Sequence, residues 1–320
     1  MTSRRCAFFD IGTNTILCLI AECGEGGEFR VLADLAEIAR LGQGVDQTRR
    51  ISPAGEERSS AVLQSYMERC ASFGVQEITA VGTSALRDAE NRREVLARWQ
   101  GQLGLNVRVI SGEEEAAYSF LAARQGLSLA GQELLVIDIG GGSTEFIRGN
   151  NAGVSDAVSI DVGTVRLTER FLHSDPPPPA VCSSMTQEID RLLAPVQARW
   201  MRDLRALTLV GIAATFTTLV AVEKKLAQYA QCEVHGSVLS LEEVRRQIRL
   251  YRDTTNAQRK EIPGLHPQRA DVILAGAYLV ERILMLLHAE HVIVSDQGVR
   301  YGMLHRRLAA TRIPQLRSTQ

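Results

Sequence analysis

The sequence predicts an α/β protein built from two similar domains, and three observations carry that expectation. Asp10-Ile-Gly-Thr-Asn-Thr15 and Asp138-Ile-Gly-Gly-Gly-Ser-Thr-Glu145 are two versions of one turn, each between hydrophobic strands. Their shared Asp-Ile-Gly recurs at an offset of 128 (138 minus 10), far too long a period for a solenoid. Strand-like and helix-like segments alternate along the chain, the pattern of an α/β fold. A length of 320 residues also exceeds the usual size of one domain.

Element by element, Cys6–Asp10 and Ile16–Ile20 form an opening hairpin, and Glu28–Leu32 reads as a third strand. Arg40–Gly44 is a glycine-punctuated turn. Ser52-Pro53 opens a helix, Ser at the N-cap and Pro in the first turn, with Val62, Leu63, Tyr66, Met67 and Cys70 at helical spacing. Strands at 75–81 and 106–110 flank a helix over 91–101. A helix from Glu113 follows, with three acids in its first turn where the helix dipole favours them.

The chain turns polar around Gly126–Gly131, the expected domain boundary, and the pattern restarts at Leu134. The expected domains are 1–126 and 127–299, with residues 300–320 packing back on the first. In the second half, a strand–turn–strand at 134–148 precedes a strand near 156–160. Asp175-Pro-Pro-Pro-Pro179 reads as a stiff extended connector, followed by a helix from Met185 to Trp200. A strand at 207–210, helices at 241–251 and 269–288, and a strand at 291–295 complete the pattern.

Composition excludes several classes. Net charge is −1, with 36 basic against 37 acidic residues, so bulk attraction to nucleic acid or a membrane surface is not expected. No apolar run approaches 18 residues and no signal peptide is evident, which predicts a cytoplasmic protein. Six cysteines without a Cys-x-x-Cys pair read as free thiols, most of them buried. The six histidines lack zinc-ligand spacing.

Both turns suit a phosphate, because small residues let backbone N–H groups approach an anion closely. Thr13, Asn14 and Thr15 in the first turn, and Gly140, Gly141, Gly142, Ser143 and Thr144 in the second, are the candidate phosphate holders. Asp138 and Glu145 could converge across the second hairpin on a hard cation such as Mg²⁺, which takes one or two carboxylates, waters and phosphate oxygens. Glu113-Glu-Glu115 is either dipole-satisfying or the source of a general base with a raised pKa. Arg87, after Thr83-Ser84, is either a phosphate clamp or a surface ion pair, and Arg166 and Arg300 share that ambiguity.

The chain resembles the exopolyphosphatase/guanosine pentaphosphate phosphohydrolase family of the sugar kinase–Hsp70–actin superfamily. Besides the two turns, the resemblance rests on Thr83-Ser-Ala-Leu-Arg-Asp-Ala89, Ile110-Ser-Gly-Glu-Glu-Glu-Ala116 and Val162-Gly-Thr-Val-Arg-Leu-Thr-Glu169. Pro263-Gly-Leu-His-Pro-Gln-Arg-Ala-Asp271 and Ser295-Asp-Gln-Gly-Val-Arg-Tyr-Gly302 continue it. It implies two actin-like (ribonuclease H-like) domains, a cleft between them, and Mg²⁺, or Mn²⁺ in its place. It further implies Glu115 as base, Arg87 near the bound phosphates, and Asp10, Asp138 and Glu145 as metal-associated carboxylates. A homodimer is the family-level expectation.

Two departures qualify the resemblance. Ala214 stands where the family usually has Gly, and the sequence stops near 320, where longer relatives continue into a helical domain. The expected function is release of terminal phosphate from polyphosphate. The alternatives are guanosine pentaphosphate as substrate, and non-catalytic binding of polyphosphate or alarmone nucleotides.

Overall fold

The structure is a computed structural model describing residues 3–24, 27–129, 131–200 and 207–312. Two sheets organise them. In the first, β1 (Arg4–Ile11), β2 (Ile16–Cys23) and β3 (Phe29–Glu37) form an antiparallel meander. Strands β4 (Glu77–Gly82) and β5 (Val107–Val109) join in parallel beside β1, giving the order β3-β2-β1-β4-β5. The second sheet repeats this plan with β6 (Leu134–Ile139), β7 (Thr144–Asn150) and β8 (Gly153–Ile160) as the meander. There β9 (Thr208–Ile212) pairs with β6 in parallel. An edge strand β10 (Val238–Ser240) lies antiparallel to β11 (His291–Val294), which itself runs parallel to β9.

The repeat extends to single residues. Asp10 pairs with Leu17 and Ile11 with Ile16 in the first hairpin; Asp138 pairs with Glu145 and Ile139 with Thr144 in the second. Leu17 therefore occupies the place that Glu145 fills in the other copy.

The first half carries α1 (Val45–Thr48), α2 (Pro53–Ser72), α3 (Ser84–Asp88), α4 (Arg92–Leu103) and α5 (Gly112–Gly126). The second carries α6 (Thr164–Phe171), α7 (Pro179–Trp200), α8 (Ala213–Glu223), α9 (Gln231–Val234) and α10 (Leu241–Arg252). Beyond them lie α11 (Asn256–Arg259), α12 (Ile273–Leu286) and α13 (Val299–Arg312). Residues 313–320 of the expected C-terminal segment lie outside the described residues. Among the described residues no helix is long and apolar enough to cross a membrane.

Local chemistry explains the ends. Ser52 and Ser111 accept from Gly55 N and Glu114 N, capping α2 and α5. The proline segment differs from expectation. It bends at a cis Asp175–Pro176 bond, and Pro179 already begins α7, well ahead of Met185. Proline is tolerated in a first helical turn because its missing N–H has no intrahelical partner to lose. Helix α12 is shorter than predicted because Pro267–Arg269 makes a separate 3₁₀ turn. Helix α8 left no periodic signal, since Thr215 through Val222 are all buried and no polar stripe marks a solvent face.

Helix α5 lies between the two sheets. Its Tyr118 and Ala122 pack with Cys6, Phe8, Leu19 and the α13 residues Tyr301 and Leu304. Its Ala116, Phe120 and Ala123 pack with Leu134, Val136, Ile147 and Val210 of the second sheet. Contact with α13 is backbone-close, because a Cβ on Gly302 would lie 2.1 Å from the Tyr118 carbonyl oxygen. Ion pairs also tie the halves: Arg166 binds Asp46 and Asp88, and Arg40 binds Asp271 at 2.6 Å. Gly302→Ala is expected to destabilise the protein by about 1–3 kcal/mol through overpacking. Urea unfolding measures it, and an unchanged midpoint would contradict the close α5–α13 contact.

Candidate active site

The two glycine turns close in the same way and meet face to face. Gly12 N donates to Thr15 O at 3.1 Å, and Gly140 N donates to Ser143 O at 3.0 Å. A Cβ on Gly142 would lie 2.5 Å from Ser84 Oγ and 3.1 Å from Thr13 Oγ1, so only glycine permits this approach. Beside the turns opens a cavity of about 670 Å³. Asp10, Thr13, Asn14, Thr15, Glu115, Asp138 and Gly140 through Ser143 all line it.

At its acid end the cavity gathers side chains from three elements. Asp10 ends β1, Asp138 ends β6, and Glu115 projects from the first turn of α5. Glu145, opposite Asp138 on β7, is only 2% exposed, and its carboxylate accepts from Ser159 Oγ at 2.8 Å. Asp138 Oδ2 accepts from Ser119 Oγ at 2.7 Å. Among the described residues, Asp10 has no hydrogen-bond donor at its carboxylate.

Burial and mutual repulsion shift these acids upward. Burial, then the charges of Glu115 and Asp138, push Asp10 up to about 8. Burial, then Glu115, raise Asp138 to about 7, against the pull of Ser119. Glu145 is raised well above the usual carboxylate range by burial and by Glu115 and Asp138. Glu115 is raised by burial, opposed by Arg87.

Several predicted site residues stand elsewhere. Arg87 does not line the cavity; its Nη1 donates to Glu115 Oε2 at 2.5 Å, so its charge serves that carboxylate. Thr144 turns away, donating to Val162 O at 2.6 Å inside the protein. Glu145 does not line the cavity; it stands opposite Asp138 across the hairpin and acts by charge on Arg87. Arg166 donates to Gly142 O at 2.9 Å while holding Asp46 and Asp88, bracing the second turn against the first half.

Apart from Arg300, the other cavity residues have no role assigned from the sequence. Arg269 donates to Thr15 Oγ1 at 3.2 Å, and burial lowers it to about 10. It sits inside the Pro263–Asp271 motif, which was the one available signal. Tyr229, His266 and Arg300 also line the cavity, and the Arg300 charge opposes the upward shift of Asp10. Arg300 is held by Asp34 at 2.7 Å. Ala213, not Ala214, takes the left-handed conformation at the start of α8 (φ 69°), and both line the cavity.

Among the described residues no three His, Cys, Asp or Glu side chains converge tightly enough to hold a metal unaided. Asp10 and Asp138 do fit the role that carboxylates play for Mg²⁺, which keeps waters and substrate oxygens in most of its positions. Hard oxygen donors, one left without a hydrogen bond and both raised by burial and then by neighbouring acids, are the chemistry of a dication site.

The duplicated topology and facing turns place the chain broadly in the actin/Hsp70-like superfamily. The profile of the Ppx/GppA phosphatase family matches residues 19–311. Exopolyphosphatase 2 of Mycobacterium tuberculosis is 38% identical over 315 residues, covering 95% of this chain and 98% of the relative. A crystal structure of an exopolyphosphatase from Cytophaga hutchinsonii matches with a TM-score of 0.88 at 27% identity, covering 96% of this chain and 98% of that one. The Aquifex aeolicus Ppx/GppA family member matches at 0.81 and 31% identity, covering 98% and 100%. This chain belongs to the Ppx/GppA phosphatase family.

The raised carboxylates set a pH dependence. Because folding raises the Asp10 pKa, the folded state binds more protons than the unfolded one between 3.8 and about 8. Stability from this group is therefore full below the ordinary value and lost as pH rises through the folded one. Without divalent metal at pH 8, Asp10→Asn is expected to melt above the wild type, the gap closing as pH falls toward 3.8. A wild type that melts higher at pH 8 would contradict the buried-charge account.

Proposed function

We propose that this protein is an exopolyphosphatase, releasing terminal orthophosphate from inorganic polyphosphate by attack of water. The convergence of Glu115, Asp10 and Asp138 at one end of a cavity beside two facing phosphate turns carries the reading. The two sheets are read as actin-like domains, 1–126 and 127–299, with α13 packed back on the first and the cavity as their cleft. The names of the M. tuberculosis and C. hutchinsonii relatives support the same substrate.

The terminal phosphoryl group sits between the turns, its oxygens facing Thr13, Asn14, Thr15 and the Gly140–Ser143 backbone. Glu115 Oε2 is occupied by Arg87, and Oε1 has no partner among the described residues. Oε1 accepts a proton from water as the water oxygen bonds to phosphorus. The bond from phosphorus to the bridging oxygen breaks, and that oxygen leaves with the shortened chain. Burial raises the Glu115 pKa and so strengthens it as a base, while Arg87 opposes that rise and fixes the carboxylate's orientation. Asp10 and Asp138 would hold Mg²⁺ or Mn²⁺, with Glu145 opposite Asp138 across the hairpin; the ion's chemistry is to neutralise charge on the phosphoryl oxygens. Positioning and electrostatics supply most of the catalysis in phosphoryl transfer.

One observation favours guanosine pentaphosphate as a second substrate. The cavity lining also includes Tyr229, Leu265 and His266 with Arg269, room and surface for a nucleoside. Phosphate release from short polyphosphate, long polyphosphate and guanosine pentaphosphate, assayed side by side, separates the two. Glu115→Gln is expected to lose about 10²–10⁴ in kcat with KM little changed. Near wild-type turnover by that variant removes Glu115 as base. Tight ligand binding by a wild type without turnover would leave a binding protein.

A further inference from the structure

Ser119 is fully buried, one turn beyond Glu115 on the same face of α5. Serine and threonine hydroxyls inside helices commonly donate to the carbonyl four residues back. Here Ser59, Ser60 and Thr168 do so, to Gly55, Glu56 and Thr164. Ser119 does not. Its hydroxyl leaves the helix and donates to Asp138 Oδ2 at 2.7 Å.

That bond occupies one carboxylate oxygen and leaves Oδ1 without a donor among the described residues, on a side chain that lines the cavity. An aspartate held this way presents a single oxygen in a fixed direction. We propose that Ser119 is a positioning residue that keeps Asp138 a one-oxygen ligand, and so makes the site prefer Mg²⁺ over Ca²⁺. The inference rests on the reading that Asp138 holds the catalytic cation. Mg²⁺ requires near-octahedral geometry at about 2.0–2.1 Å, whereas Ca²⁺ accepts 6–8 oxygens at about 2.3–2.6 Å and often takes both oxygens of one carboxylate. Without the hydroxyl, Asp138 is free to turn and chelate with both oxygens, the mode that suits the larger ion. Partners that orient a ligand from behind typically contribute about 10–100-fold to metal affinity.

Calorimetric titration of the full chain with MgCl₂ and with CaCl₂, without substrate, tests this apart from activity. Ser119→Ala is expected to lose about 10–100-fold in Mg²⁺ affinity. Its Ca²⁺ affinity changes far less, so the preference for Mg²⁺ narrows. Ser119→Thr, which retains the hydroxyl, keeps the wild-type ratio. If Ser119→Ala fails to melt cooperatively, Ser119→Cys, of similar shape but a weak donor, carries the same expectation. Equal losses for both ions, or no change in either, overturn the role of Ser119 while leaving Asp138 as ligand. A wild type that binds neither ion overturns the metal reading as well.

Discussion

Four carboxylates lie within electrostatic reach of one another, three of them on one cavity, and the fold is arranged around tolerating them. Asp10 and Asp138 come from equivalent strand ends of the two sheets, and Glu145 stands directly across the hairpin from Asp138. Glu115 comes from α5, the helix that packs on both sheets. Like charges buried together repel, and the chain offers few internal donors against that repulsion. Arg87 serves Glu115, Ser119 serves Asp138 and Ser159 serves Glu145. Asp10 receives nothing comparable. Such a cluster is costly to the empty protein and well matched to a cation and a phosphate, the usual trade between stability and function at an active site.

The duplication makes the cavity, and its asymmetry makes one end chemical. Both turns close with the same hydrogen bond, but where the second copy has Glu145 the first has Leu17. The acid load therefore falls on the second sheet and on α5. Ion pairs from α6 to the first half keep the turns facing: Arg166 touches Asp46, Asp88 and the Gly142 carbonyl together.

Much of this was legible in the sequence because it is local. A carboxylate at a strand end, a glycine turn and clustered hydroxyls lie within eight consecutive residues, 138–145, so the hairpin follows from short-range chemistry. Glu115 was ambiguous by spacing alone, since acids in a first helical turn also satisfy the dipole; the resemblance singled it out. What sequence could not reveal depends on long-range packing. Arg87 meets Glu115 across 28 residues, and Arg269 meets Thr15 across 254. Thr144 looked like a phosphate donor, yet its place on β7 turns its hydroxyl toward Val162. The fully buried α8 lacked the polar face that periodicity needs.

We propose that substrate phosphate, cation and Glu115 meet at the acid end of the cavity. Anomalous diffraction from crystals grown with Mn²⁺ and a non-hydrolysable polyphosphate analogue tests it most directly. One strong Mn²⁺ peak is expected within coordination distance of Asp138 or Asp10, with the terminal phosphorus between the two turns and facing Glu115. A cation and terminal phosphate lying instead beside Tyr229 and His266, away from the carboxylates, would contradict it.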